Sequence, residues 1–180
     1  MIFAPTKLSG AVVIDLERRE DDRGFFARSF CQREFEEHHL DPCVSQCNVS
    51  FNVRRGTLRG MHWQAAPHGE AKLVRVTRGA IWDVIIDLRP NSSSYAEWFG
   101  VELTAENRRA LYVPVGFAHG FQTLVPDTEV FYQMSSAYVP DAQRGLRWND
   151  PAFGVAWPID PPFMSRGDES HPDFALEKRR

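Results

Sequence analysis

The sequence lacks the features of a membrane protein, a disulfide-rich secreted protein or a nucleic-acid binder. No run approaches the roughly 20 apolar residues of a membrane-spanning helix, and the N-terminus has no basic start before an apolar stretch, so no signal peptide is expected. Three cysteines among 180 residues do not make a disulfide framework. A net charge of −3 gives no broad attraction to nucleic acid or anionic membranes. We therefore expect a globular cytoplasmic protein with reduced thiols.

Short β-rich segments make up most of the chain. Gly, Pro, Asn and Asp separate them, and there is no internal repeat or linker. This pattern predicts one all-β domain over residues 1–180, either a sandwich, a jelly roll or a closed barrel. The predicted strands are residues 11–17, 25–30, 44–51, 57–63, 72–77, 80–88, 96–103, 111–113, 120–125 and 129–135.

Helices are few, and the C-terminal part is irregular. The sequence predicts one helix at residues 32–40 and a short one at residues 174–180. Thr77-Arg78-Gly79 predicts a hairpin turn that joins the two longest strands. The stretch 158–172 is rich in proline, so we expect residues 158–180 to form a tail that packs over the barrel.

His62 lies in the predicted strand at residues 57–63 and is the first candidate for chemistry. Side chains alternate along a strand, which places His62 and Gln64 on one face and Arg59, Met61 and Trp63 on the other. At the mouth of a jelly roll the inward face is where a ligand would lie. A lone histidine on a strand is more often a hydrogen-bonded packing residue, so further features must support a functional role.

Two short patterns resemble the signatures of the cupin jelly rolls. Gly56-x5-His62-x-Gln64 resembles the first signature, and Pro114-x-Gly116-x2-His119 resembles the second. A metal-binding cupin would carry a second histidine where Gln64 stands, and Glu70 only approximates its glutamate ligand. Metal sites want three or four well-placed ligands, but only His62 and His119 are good candidates. We expect no metal and keep a metal-dependent cupin as an alternative.

A longer series of motifs runs along the chain, in the order Asp22-Arg23-Gly24-Phe25-Phe26, Gln46-x-Asn48, Leu58-Arg59-Gly60-Met61-His62-Trp63-Gln64, Lys72-Leu73-Val74-Arg75, Gly116-Phe117-Ala118-His119-Gly120-Phe121, Tyr132 and Trp148-Asn149-Asp150-Pro151. In this order the series resembles the dTDP-4-dehydrorhamnose 3,5-epimerases, the metal-free cupins of deoxysugar biosynthesis. The resemblance implies a cupin-type double-stranded β-helix with a few short peripheral helices. It also implies an isomerase that needs no cofactor and forms a homodimer.

The implied reaction suits the residues present. In a nucleotide-linked 4-keto-6-deoxy sugar, carbons 3 and 5 flank the ketone, so loss of either proton gives a delocalised enolate. By resemblance, His62 is the base, Lys72 stabilises the enolate oxygen and Tyr132 returns the proton. The resemblance also makes Asp168 the carboxylate that orients His62. Asp83, on the strand after the turn at residues 77–79, is a second candidate for a carboxylate near the site. The leading substrate is dTDP-4-dehydro-6-deoxy-D-glucose, which would become dTDP-4-dehydro-L-rhamnose.

Substrate-binding residues follow from the same resemblance. Arg23 and Arg59 are the natural partners of the diphosphate, because a guanidinium group binds phosphate oxygens in a bidentate manner. In the implied homodimer, N-terminal strands pair or swap across subunits, so that Phe3 and Phe26 could lie near the partner's site. The expected substrate-binding residues are Arg23, Phe25, Phe26, Gln46, Asn48, Arg59, His119 and Gln143.

Three positions depart from the family pattern. Arg28 stands where an acidic residue is expected, Gly167 where a lysine is expected, and Gln143 where a glutamate is expected. All three positions serve substrate binding rather than proton transfer in the family, so the substrate stays open. The alternatives are an epimerase that inverts one carbon, an epimerase for a related sugar nucleotide, and a non-catalytic sugar-nucleotide binder.

Overall fold

The computed structural model describes residues 1–175, in which strands dominate. Two short α-helices, α1 (Gln32–Glu37) and α2 (Arg166–Glu169), and a 3₁₀ turn at Pro140–Ala142 complete the regular structure. Over this range, every helix is too short to cross a bilayer. The strands are β1 (Ile2–Pro5), β2 (Val12–Asp15), β3 (Arg19–Asp21), β4 (Gly24–Phe26), β5 (Gln46–Asn52), β6 (Leu58–Gln64), β7 (Lys72–Arg78), β8 (Ala80–Asp87), β9 (Trp98–Thr104), β10 (Ala110–Val113), β11 (Phe117–Thr123), β12 (Thr128–Met134) and β13 (Gln143–Gly145).

Two antiparallel sheets pack face to face. The six-stranded sheet has the order β1-β2-β10-β7-β12-β5, and the five-stranded sheet has the order β13-β6-β11-β8-β9. A core of aliphatic and aromatic side chains fills the space between them, with Val74, Leu111 and Val130 from one sheet and Ile85 and Phe117 from the other. This arrangement confirms the predicted all-β, cupin-type jelly roll.

The outer face of the five-stranded sheet is also covered. Strand β8 is apolar on both faces, so Ile81 and Ile85 enter the inner core while Val84 and Ile86 face outward. The outward side chains pack with Phe153 and other residues from the C-terminal part of the chain. The C-terminal part also pairs with the barrel through a bridge between Thr57 and Phe163. The predicted single domain and its tail over residues 158–180 stay predictions, and residues 176–180 lie outside the described part.

The predicted hairpin at residues 77–79 is wrong. Strands β7 and β8 do not pair with each other, because β7 lies between β10 and β12 while β8 lies between β11 and β9. The turn instead carries the chain from one sheet to the other, with Gly79 at φ +80°. A turn motif shows where the chain reverses, but it does not show which strand becomes the neighbour. Val76 and Ile81, on either side of the turn, both enter the inner core.

Other differences from the sequence-based predictions concern short or polar elements. Helix α1 begins where predicted and ends at Glu37, three residues early. The helix predicted at residues 174–180 falls largely outside the described residues, and Phe174 and Ala175 are not helical. Helix α2 and strands β1, β3 and β13 were not predicted. Strand β3 consists of exposed charged residues, so it lacks the apolar alternation that indicates a strand.

Strands β6 and β11 approach each other more closely than side chains allow. A Cβ on Gly60 would lie 2.6 Å from the Gly120 Cα and 2.9 Å from the His119 carbonyl oxygen. Gly60 also has φ +128°, a value that L-residues rarely adopt. The pairing register shifts here, between His119↔His62 and Phe121↔Arg59. The two glycines therefore permit an irregularity in β6 next to His62.

Replacing Gly60 by alanine should destabilise the fold more than the same change at Gly24. Gly24 has a similar φ of +125° but no atom within 4 Å of its added Cβ, so it controls for backbone strain alone. We expect Gly60→Ala to lower the free energy of unfolding by about 1–3 kcal/mol more than Gly24→Ala, because the added Cβ overpacks a rigid backbone contact. Chemical denaturation measures both values. Equal losses would contradict the proposed steric constraint.

Candidate active site

A cavity of about 430 Å³ opens between the two sheets. The five-stranded sheet contributes side chains from β6 and β11, and the six-stranded sheet contributes side chains from β5, β7 and β12. The C-terminal part adds Asp168 from α2. The lining residues are Gln46, Asn48, Arg59, His62, Trp63, Gln64, Glu70, Lys72, His119, Phe121, Tyr132, Met134, Tyr138, Gln143 and Asp168.

His62 and Asp168 form a close pair at one wall of the cavity. The Nε2 atom of His62 lies 2.6 Å from Oδ1 of Asp168, so Nδ1 is the ring nitrogen left for a ligand. The backbone N–H of Asp168 donates to Oγ of Ser165, which fixes the first turn of α2. Burial alone would raise the pKa of Asp168, but hydrogen bonds from His62 and Ser165 hold it below its usual value. Asp168 is therefore a carboxylate at neutral pH and can stabilise a protonated His62.

A second histidine, which the sequence did not suggest, lies behind this pair. Nε2 of His171 is 3.8 Å from the same Asp168 oxygen. The rings of His171 and His62 meet edge to face, with centroids 5.5 Å apart. Burial and the nearby His62 lower the pKa of His171. A single histidine in an irregular, proline-rich segment carries no periodicity, so only the fold shows that it reaches the pair.

Lys72 projects into the cavity from the opposite sheet and is held by a buried ion pair. Its Nζ lies 2.8 Å from Oε1 of Glu70, and both side chains are almost fully buried. Gln64 donates to the other Glu70 oxygen at 2.9 Å and accepts from the backbone N–H of Val139 at 2.6 Å. Gln64 and Glu70, which occupy the positions compared with cupin metal ligands, thus form a hydrogen-bonded support for Lys72.

Tyr132 also comes from the six-stranded sheet and lies half-buried in the cavity wall. Burial raises the pKa of Tyr132, Arg59 opposes that shift, and the negative charge of Glu70 adds to it. The phenol is therefore protonated at neutral pH. Because His62 belongs to the five-stranded sheet, the histidine faces Tyr132 and Lys72 across the cavity.

Arg59 lines the same cavity as His62, so the predicted separation of their side chains onto opposite faces is wrong. The register shift beside Gly60 interrupts the alternation between the two residues. Arg59 is fixed by a 2.7 Å hydrogen bond from its Nε to Oδ1 of Asn52.

His119 has its own buried carboxylate. Its Nε2 lies 2.7 Å from Oδ1 of Asp83, which is fully buried. Asp83, the second candidate for a carboxylate near the site, therefore pairs with His119, which lines the cavity, and not with His62. Gln46 and Asn48 reach the cavity from β5, and the amide oxygen of Gln143 accepts a hydrogen bond from the Tyr138 hydroxyl.

Arg23, Phe25 and Phe26 lie on the β3–β4 hairpin, and none of them is among the described residues that line the cavity. Arg23 pairs with Asp21 at 2.6 Å, and Phe26 is 73% exposed. The ring of Phe25 is flanked by the guanidinium groups of Arg18 and Arg108. The structure therefore does not bring these three predicted substrate-binding residues to the cavity of their own chain.

The family departures lie in different places. Arg28 forms a 2.7 Å ion pair with Glu34 and does not contribute to the described lining of the cavity. Gly167 precedes Asp168 in α2, where an added Cβ would meet only Oγ of Ser165, at 3.7 Å. Gln143 is the departure that contacts the cavity directly.

Comparisons with known proteins agree on one family. Residues 5–175 match the family model for dTDP-4-dehydrorhamnose 3,5-epimerase. The dTDP-4-dehydrorhamnose 3,5-epimerase of Methanothermobacter thermautotrophicus is 45% identical over 159 residues, which cover 88% of this chain and 84% of that protein.

Two solved structures extend this similarity to the fold. The dTDP-4-dehydrorhamnose 3,5-epimerase of Bacillus anthracis, with TDP and PPi bound, has a TM-score of 0.92 at 39% identity and covers 96% of this chain and 99% of its own. The dTDP-6-deoxy-D-glucose-3,5-epimerase of Legionella pneumophila, in complex with dTDP-4-keto-L-rhamnose, has a TM-score of 0.88 at 31% identity. The match covers 96% of this chain and 92% of that protein. The family model, the sequence relatives and the solved structures agree over nearly the whole length of the chain. The chain therefore belongs to the dTDP-4-dehydrorhamnose 3,5-epimerase family.

Proposed function

We propose that this isomerase inverts carbons 3 and 5 of dTDP-4-dehydro-6-deoxy-D-glucose and so forms dTDP-4-dehydro-L-rhamnose. The observation that carries the proposal is the placement of the His62–Asp168 pair on one side of the cavity and of Tyr132 and Lys72 on the other. A base and an acid on opposite sides of a bound sugar can remove a proton from one face and return it to the other face.

Each step has a residue suited to it. Nδ1 of His62 takes the proton from the carbon next to the ketone, while Asp168 stabilises the imidazolium that forms. The ammonium group of Lys72 stabilises the enolate oxygen, and Glu70 holds that ammonium in place. Tyr132 then protonates the carbon from the other face. Arg59 is well placed for the diphosphate, because it lines the cavity while Asn52 fixes its Nε.

The proposal includes a homodimer. The β3–β4 hairpin exposes Arg23 and Phe26 away from the cavity of its own chain, so these residues are free to complete the site of a partner subunit. Strand β5 lies at the edge of the six-stranded sheet and exposes Val49 and Phe51, an apolar surface that a second copy of the chain would cover. Cytoplasmic location is also part of the proposal and agrees with Cys31, Cys43 and Cys47, which are free thiols in the described chain.

Exchange of carbon-bound protons with solvent tests the proposed reaction. Purified enzyme and dTDP-4-dehydro-6-deoxy-D-glucose in heavy water should show exchange at carbons 3 and 5 by proton NMR. Exchange at one carbon would indicate a single epimerisation, and binding without exchange would indicate a sugar-nucleotide binder. We expect His62→Ala to slow exchange by at least about 10²–10⁴-fold, since a positioned base contributes that much. Wild-type exchange rates in His62→Ala would overturn the assignment of the base.

Tyr132→Phe should separate proton removal from inversion. The phenylalanine keeps the ring in the cavity wall but cannot donate a proton, so His62 still removes and returns protons on its own face. We expect deuterium to enter the substrate while the yield of inverted product falls by about 10²–10⁴-fold. NMR of the sugar ring distinguishes the labelled substrate from the epimer. Undiminished inversion would show that another group supplies the proton.

Mixed dimers test whether Arg23 serves the partner's site. His62→Ala and Arg23→Ala chains, each nearly inactive alone, should regain about a quarter of wild-type activity when coexpressed, because half of the dimers are mixed and each of these has one intact site. A mixture of His62→Ala and Tyr132→Phe chains is the matched control and should not recover, since both residues line the cavity of one chain. Absence of recovery in the first mixture would place Arg23 outside the partner's site.

A further inference from the structure

The His62–Asp168 pair of the proposed proton path belongs to a cluster of three residues. The third member of the cluster is His171, which has no part in that path and is not among the described residues lining the cavity. We propose that His62, Asp168 and His171 bind a divalent transition-metal cation such as Zn²⁺, and that this cation inhibits the enzyme. The inhibitory part rests on the proposed function, whereas the binding part does not.

The geometry of the cluster is close to that of a three-ligand metal site. Nε2 of His62 lies 2.6 Å and Nε2 of His171 lies 3.8 Å from Oδ1 of Asp168. One candidate ligand atom from each of the three side chains lies within 4.8 Å of the other two. Zinc binds imidazole nitrogen and carboxylate oxygen at about 2.0–2.2 Å in a tetrahedron, which requires ligand atoms roughly 3.3–3.5 Å apart. Shifts of about 1 Å in side-chain position would reach that geometry, and two histidines with one carboxylate are a common zinc ligand set.

The ligands are already held near these positions. A Cβ on Gly145 would collide with the ring of His171, so the absence of a side chain at this position is what lets the ring pack there. Gly145 in turn lies opposite His62 in the pairing of β13 with β6. The Ser165 side chain fixes Asp168 at the start of α2. Because the Gly145 backbone restrains the His171 ring and the Ser165 side chain restrains Asp168, a cation would lose less affinity to ordering these ligands.

The site differs from the metal position of other cupins. Gln64 and Glu70, at the positions compared with cupin ligands, are tied to each other and to Lys72 through hydrogen bonds and an ion pair. His119 is bonded to Asp83. The proposed cation would instead lie on the far side of His62, between the barrel and the C-terminal segment that carries Asp168 and His171.

A cation at this position would switch off the base through the tautomer of His62. A neutral imidazole carries one proton, and in the metal-free pair that proton lies on Nε2, where it is donated to Asp168. A cation needs the Nε2 lone pair, so the proton must move to Nδ1. Nδ1 is the nitrogen that faces the substrate, and once protonated it cannot accept the proton of the sugar carbon. Asp168, now a metal ligand, would no longer stabilise the imidazolium.

Zn²⁺ and Co²⁺ titrations of the EDTA-treated full-length protein test the site. Calorimetry should show one cation per chain, and Co²⁺ should give the visible absorption of a nitrogen- and oxygen-ligated ion. His171→Phe keeps a ring against Gly145 but has no lone pair, so we expect its cation affinity to fall by at least about tenfold. Zn²⁺ should stop proton exchange in the wild type, and EDTA should restore it. In His171→Phe, the Zn²⁺ concentration needed for inhibition should rise by the same factor as the loss of affinity.

Two controls keep the test decisive. The double variant Cys43→Ser/Cys47→Ser removes the exposed thiols and should leave cation affinity and inhibition unchanged. Thermal unfolding of a second variant, His171→Gln, checks that the loss of cation affinity does not come from misfolding. Three outcomes would overturn the proposal. The protein could fail to bind cation at 1 mM, His171→Phe could keep the wild-type affinity, or binding could be lost only in the cysteine variant. Cation binding that depends on His171, in a protein that performs no exchange without metal, would leave this site standing and refute the proposed function instead.

Discussion

The close contact of Gly60 with Gly120 is the constraint on which the site depends. Without side chains at these two positions, β6 comes near enough to β11 for its register to shift. The shift brings Arg59 and His62 to the same side of one strand, although they are three residues apart. A strand with regular alternation would present only one of these two side chains to the cavity. A local irregularity thus lets one strand place both side chains in the lining of the cavity.

The two sheets divide the chemistry between them. The five-stranded sheet carries His62, and the six-stranded sheet carries Lys72 and Tyr132, so the separation of the two sheets sets how far His62 lies from the other two side chains. Burying Lys72 with Glu70 is costly unless the pair is well hydrogen-bonded, and Gln64 provides that hydrogen bond. The cationic group is therefore held in place before substrate arrives, which is the preorganisation that the proposed stabilisation of an enolate would need.

The sequence predicted the parts of the molecule that have a strong local pattern. Strand β8 was evident because both of its faces are apolar, and the motif order led to the fold and to His62, Lys72, Tyr132 and Asp168 as candidates. Three features were not predictable, since each depends on contacts between distant segments. They are the strands that pair with β7, the face of β6 from which Arg59 projects, and the position of His171 beside Asp168. Asp168 lies 106 residues from His62. Arg23 and Phe26 lie outside the described lining of the cavity, and the proposed role for them depends on a second subunit that a single chain does not contain.

Asp168 lies in a segment that is less stable than the barrel that carries His62. The barrel is held by two extensive sheets and a continuous core, whereas Asp168 is delivered by a four-residue helix in an irregular segment. Segments with few buried contacts open at a lower free-energy cost than core strands do. Brief detachment of this segment would leave an intact jelly roll whose histidine has lost its carboxylate. With Asp168 in its proposed role, heat or mild denaturant would then reduce turnover well before the strands separate, and activity would recover without refolding of the barrel.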